Sequence, residues 1–166
     1  MVAISDLKDL YLHELKDLYS ANEQAISVHE KMGGAAKNSE LKSALKDAVD
    51  GIKDGMKAVE AICSAHGIKA TDEKCRGMEG LVKEAEAHAL KEQYSDEDTQ
   101  DAAIIAQAQR MNHYAIAGYG TATAFAKRLG LSDDVTTLQK NLDNIHGGDR
   151  RMTKLAETSV NRAAQN

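Results

Sequence analysis

Four stretches of this chain each carry one apolar stripe that recurs every three or four residues, and that pattern limits the fold more than anything else in the sequence. From Ser5 to about Met32 the stripe is Leu7, Leu10, Leu15, Leu18, Ala21, Ala25, Ile26 and Met32. From Asn38 or Ser39 to His66-Gly67 it is Leu41, Leu45, Val49, Ile52, Met56, Val59 and Ile62. Between Ser95 and Gly130 it is Ala102, Ile105, Ala106, Met111, Ile116, Tyr119 and Phe125. From Ser132 to a polar tail at Asn161 it is Val135, Leu138, Leu142, Ile145, Met152, Leu155 and Val160. A helix of about 30 residues is roughly 45 Å long and cannot bury such a stripe alone, so the four must bury their stripes together. Proline and tryptophan are absent and only one Phe occurs, which favours helix over strand throughout.

Local signals divide the segments. Ser5 is the expected cap of the first helix with Asp6 in its first turn, and Gly33-Gly34 is the expected stop. Thr71-Asp72-Glu73 reads as the cap and acidic first turn of a shorter helix through Met78, Leu81, Val82 and Ala85, ending near Leu90. Ser95-Asp96-Glu97-Asp98 and Ser132-Asp133-Asp134 open the last two. Short loops join the first pair and the last pair of long helices, whereas about 30 residues lie between the pairs, enough for a crossover along the bundle. The expected fold is therefore all-α, a ferritin-like four-helix bundle with a long crossover carrying a short fifth helix, as one domain over residues 1–166.

Hydrophobic residues at 42% and charged residues at 28% suit a globular chain. Net charge is −5, and no basic cluster exceeds Lys127-Arg128 or Arg150-Arg151, so no nucleic-acid partner is expected. Met1 to Asp6 shows no basic region leading into an apolar run, and nothing approaches the roughly 20 apolar residues of a membrane span, so a cytoplasmic location without membrane contact is expected. Cys63 and Cys75 form no metal-binding spacing; two reduced thiols are expected, with a disulfide between helix ends as the alternative. There is no GxSxG, P-loop or GxGxxG, and no cysteine with a nearby His at a recognisable spacing. Glu79, Glu84, Glu86 and Glu92 read as solvated faces with local Lys partners.

Three strings are specific: Leu18 to Gln24 (LYSANEQ), Glu73 to Leu81 (EKCRGMEGL) and Asp101 to Gln109 (DAAIIAQAQ), followed by His113-Tyr114 and Tyr119-Gly120-Thr121. They closely resemble motifs of the YciF-like family of bacterial ferritin-like proteins, in register over nearly the whole chain. The resemblance implies a crossover bundle, a homodimer, a link to bacterial stress responses and a dimetal site. In the family pattern that site takes a Glu from the first helix, a His-Leu-Glu-Glu run from the second, a Glu just before His-Tyr, and Glu-Glu followed by Asp from the last. At the corresponding positions this chain has Asn22, then Ala48-Val49-Asp50-Gly51, then Asn112 with Ala115 nearby, then Asn144-Ile145 with only Asp149 kept. Glu23 lies about 100° round the helix from Asn22 and should face away.

Two multivalent cations in a bundle core need several carboxylates as oxygen ligands and to balance about four positive charges. Asp50 and Asp149 do not suffice, so the dimetal site is expected to be lost and no cofactor is expected. The histidines, His13, His29, His66, His88, His113 and His146, are scattered with no two four apart, so most are expected at the surface or at helix ends. His113 is expected to hydrogen-bond in the core and His146 is the one candidate axial ligand. Tyr11, Tyr19, Tyr114 and Tyr119 are expected in core or dimer packing.

Glycines are the remaining signal. Gly51, Gly55, Gly118, Gly120 and Gly147-Gly148 interrupt helical stripes, and each costs about 1 kcal/mol relative to alanine. Close helix contact accounts for such residues, and so does a cavity at the old metal position lined by Ile52, Met111, Ile145, Met152 and Tyr19. The expected function is a non-enzymatic bundle, stress-related by resemblance. The alternatives are an iron or manganese oxidoreductase with an altered site, and a small-molecule binder whose candidate contacts are Gly51, Gly55, His113, His146 and Gly148.

Overall fold

The computed structural model describes residues 4–165. Five helices account for most of them: α1 (Leu7–Ala35), α2 (Ser39–Ala65), α3 (Arg76–Ala85), α4 (Glu97–Arg128) and α5 (Ser132–Leu155). A wider-pitched turn extends α3 over Glu86–Lys91, and another extends α5 over Ala156–Val160 into a last turn, Asn161–Ala163. The segment from Asn161 expected as a polar tail is thus still helical at its start.

Several ends differ from the sequence expectation, each for a local reason. Asp6, not Ser5, caps α1, accepting a hydrogen bond from the Asp9 amide at 2.8 Å, while Ser5 bonds to the Asp9 carboxylate. Gly33 and Gly34 do not stop α1; both stay helical, and the chain leaves at Ala36 with ordinary extended backbone. Thr71-Asp72 lies in a single 3₁₀ turn, and α3 starts later, with the Cys75 sulfur accepting from the Met78 amide at 3.3 Å. Two α1 side chains fix that start: Ser20 Oγ accepts from the Cys75 amide at 3.0 Å, and Gln24 Nε2 donates to its carbonyl at 3.0 Å. Asn38 caps α2 through the Glu40 and Leu41 amides, and Asp96 caps α4 through the Thr99 amide, near where the sequence places these starts.

The topology follows from contacts at the two ends. At one end Tyr11 donates to Asp134 at 2.8 Å, and His66 Nε2 lies 2.7 Å from the same carboxylate oxygen, with Lys8 at 2.9 Å from His66 Nδ1. The start of α1, the close of α2 and the start of α5 therefore meet there. At the other end Asp101 of α4, 1% exposed, accepts from the Lys37 and Asn38 amides at 2.8 and 2.7 Å, and Asn38 reaches Ser159. So α1 runs antiparallel to α2 and α4, and α5 antiparallel to α2 and α4. The crossover, with α3, packs along α1 and α4. This is the ferritin-like four-helix bundle with a short fifth helix on its crossover.

Two apolar clusters fill the interior lengthwise. One centres on Ala25, Met32, Leu41, Leu45, Met78, Ile104 and Met111. The other centres on Tyr11, Leu15, Leu18, Val59, Tyr119 and Leu138. Cys63 and Cys75 are buried and unpaired. No described helix is long and apolar enough to cross a membrane.

Candidate functional site

Between the two clusters the bundle is open on its α2/α5 side. A recess of about 460 Å³ enters there and reaches α1 and α4. That volume lies in the range of small-molecule sites. One wall is a single face of α2: Ala44, Ala48, Gly51, Ile52 and Gly55. The facing wall is Asn141, Asn144, Ile145, Gly148 and Met152 of α5, again at steps of three and four. Asn22 of α1 and Asn112 and Tyr119 of α4 form the floor. At the mouth Arg151 and Asp47 form an ion pair at 2.5 Å, and Arg151 also approaches Ser43 at 3.4 Å.

Neutral amides set the polar character of the floor. Asn22 Nδ2 donates to the Tyr119 hydroxyl at 2.8 Å. Burial pushes the Tyr119 phenol up to about 12, so it stays protonated at neutral pH. Asn141 Nδ2 is buried with no hydrogen-bond partner among the described residues.

The glycines divide into two groups. A Cβ at Gly55 would lie 2.8 Å from the Tyr119 oxygen, one at Gly118 would lie 2.7 Å from Leu18, and one at Gly77 would meet the Tyr114 ring at 2.5 Å. Those three answer to close packing. At Gly51, Gly120, Gly147 and Gly148 a Cβ would meet nothing within 4 Å. Packing does not account for these, and three of them, Gly51, Gly147 and Gly148, border the recess.

The residues singled out from sequence are only partly brought together. Asn22, Ala48, Gly51, Gly55, Asn112, Asn144, Ile145 and Gly148 all line the recess. Asp50 does not: it borders a separate depression on the outer α1/α2 face beside His29. Asp149 faces α4, where Gln109 Nε2 donates to it at 3.3 Å and His113 Nε2 lies 3.1 Å away. His113 is therefore not a core residue; its side chain is 66% exposed. His146 lies outside the recess, and Met111 and Tyr19 are not among its walls. Tyr119 and Asn141 were missed, although Tyr119 is two helical turns beyond Asn112 and Asn141 is one turn before Asn144, spacings that put each on the face already marked.

A pair of multivalent cations does not fit these walls. The recess has one carboxylate, Asp47, and Arg151 already neutralises it at the mouth. Amide side chains supply no compensating charge. Among the described residues no group of three or more His, Cys, Asp and Glu is placed to hold a metal ion.

Known proteins resemble this chain along almost its full length. The family model described as Domain of unknown function (DUF892) matches residues 6–165. Protein YciF of Escherichia coli (strain K12) is 32% identical over 161 residues, 96% of each chain. The crystal structure of the E. coli stress protein YciF superposes with a TM-score of 0.86 at 29% identity, covering 95% of this chain and 99% of that one. YcfI from Rhodopseudomonas palustris superposes with a TM-score of 0.85 at 33% identity, covering 90% of this chain and 94% of that one.

Proposed function

The chain belongs to the family described as Domain of unknown function (DUF892), and from that premise we propose that it is a non-enzymatic helical bundle with a stress-related role, in which the dimetal site implied by its YciF-like character has been lost. One observation carries the reading. The space at the bundle centre is walled by Asn22, Ala48, Gly51, Asn112, Asn144 and Ile145, neutral residues where a metal cluster requires several anionic ligands. The stress-related part is supported by the likeness to the E. coli stress protein YciF. A homodimer and a cytoplasmic location belong to the same proposal, the first by family resemblance, the second because the two buried thiols stay apart.

Metal analysis tests it. Protein purified from cells supplemented with iron and manganese should carry far less than one transition ion per chain. Two equivalents per chain, surviving gel filtration, would overturn the proposal.

A further inference from the structure

The recess holds two buried hydrogen-bond donors, one on its floor and one on its α5 wall. Tyr119 is 1% exposed, and its hydroxyl oxygen accepts from Asn22 Nδ2 at 2.8 Å, which leaves the hydroxyl proton free to donate into the recess. Asn141 Nδ2 is buried and unpartnered. Both sit against Gly55, where a Cβ would be 2.8 Å from the Tyr119 oxygen and 3.9 Å from Asn141 Cγ. An unsatisfied buried donor is costly, and an amide N–H and a hydroxyl proton bordering the same space both call for an acceptor oxygen.

Shape and charge narrow the occupant. Bare backbone at Gly51, Gly147 and Gly148 leaves open space between the opposed walls, and Ile52, Ile145 and Met152 supply apolar surface for the faces of a ring. The ion pair at the mouth cancels its own charge, so an ionised ligand would lose hydration with nothing to replace it. A bridging water takes about 30 Å³ of liquid volume, a small part of 460 Å³.

We propose that this recess binds a flat, uncharged nitrogen heterocycle of the lactam or imide class, its carbonyl oxygen accepting from Tyr119 and Asn141. The amides of Asn112 and Asn144 offer both acceptor and donor to the ring N–H and to a second carbonyl. The inference rests on the reading that no metal pair fills the same space.

The test uses the full chain with two probes, uracil and lumichrome, and two controls, benzoate and toluene, by calorimetric titration and native mass spectrometry. At least one lactam probe should bind one to one, with both controls at least tenfold weaker. Tyr119→Phe and Asn141→Leu should each weaken binding about tenfold. Gly51→Leu, at a position where a Cβ meets open space, should abolish binding while the helical melting transition is retained. Absence of binding by both probes up to millimolar concentration, controls that bind as well as the lactams, or unchanged binding in Gly51→Leu would each overturn the inference. Metal-free protein that ignores the probes overturns this inference alone, whereas two ions per chain overturn the proposed function.

Discussion

His29 shows what one buried side chain does to the whole molecule. Its ring is 1% exposed, Nδ1 lies 2.9 Å from the Ala25 carbonyl, and Nε2 has no partner among the described residues. Burial lowers its pKa from the ordinary value, because the charged ring would lose hydration with no anion paired to it. Glu30, Asp50, Lys42, Lys46 and Lys53 border the same depression, and Lys53 is already paired with Glu30 at 2.9 Å. Above about pH 6.5 the ring is neutral in both folded and unfolded chains; below that the unfolded chain takes up a proton that the folded chain refuses, so stability falls with falling pH. Urea titrations at pH 7 and 5.5 should show His29→Leu losing less stability over that interval than the unsubstituted chain, by up to about 1.4 kcal/mol per pH unit. The glycines predict opposite signs at neighbouring turns of α2. Gly51→Ala should stabilise by up to about 1 kcal/mol through helix propensity. Gly55→Ala should destabilise by about 1 to 2 kcal/mol, because Tyr119 is buried and must move. Paired thermal melts of the two variants read the difference.

At the scale of elements, the α1–α2 connection depends on a residue far away in sequence. Asp101 leaves its own helix face to accept from two loop amides. Asp101→Ala should cost about 3 kcal/mol in chemical denaturation, since it removes two charge-assisted bonds and leaves both amides without a partner. Asp101→Asn should recover part of that. Such a contact was not legible in the sequence: Asp101 stands just past the acidic first turn of α4 and looks like an ordinary acidic residue near a helix N-terminus. The long stripes were legible because a helix that buries one face repeats its apolar residues with the helical period. The starts of α1 and α3 were not. At α1 two residues could serve as cap, and Asp6 outcompetes Ser5 by reaching the Asp9 amide. At α3 a thiol takes the cap position because Ser20 and Gln24 hold the backbone there, and nothing within the segment announces partners from α1. The site was half legible for the same reason: positions on one helix face can be counted, but that the Tyr119 hydroxyl reaches Gly55 across the bundle is decided by how the four long helices assemble.

Across the whole molecule the covering is unequal. The crossover lies on α1 and α4, whereas the α2/α5 side has a recess along its middle and an ion pair at its mouth. Native-state hydrogen exchange should therefore show weaker protection around Gly51–Gly55 and Gly147–Gly148 than in the central turns of α1 and α4, where buried apolar contacts are dense. Equal protection on both sides would mean that the recess closes in solution. The chain reversals are also unequal. Gly67 and Gly130, the only described residues with left-handed backbone, at φ of 70° and 73°, lie at the same pole, where α2 and α4 finish. Any side chain there is strained by about 1 to 2 kcal/mol. The opposite pole turns at Ala36 without special backbone and is tied by the Asp101 carboxylate instead. Tolerance to mutation is thus polarised along the bundle axis: one pole constrains residue type at two glycines, and the other accepts varied loop residues for as long as its two amides can find the acid.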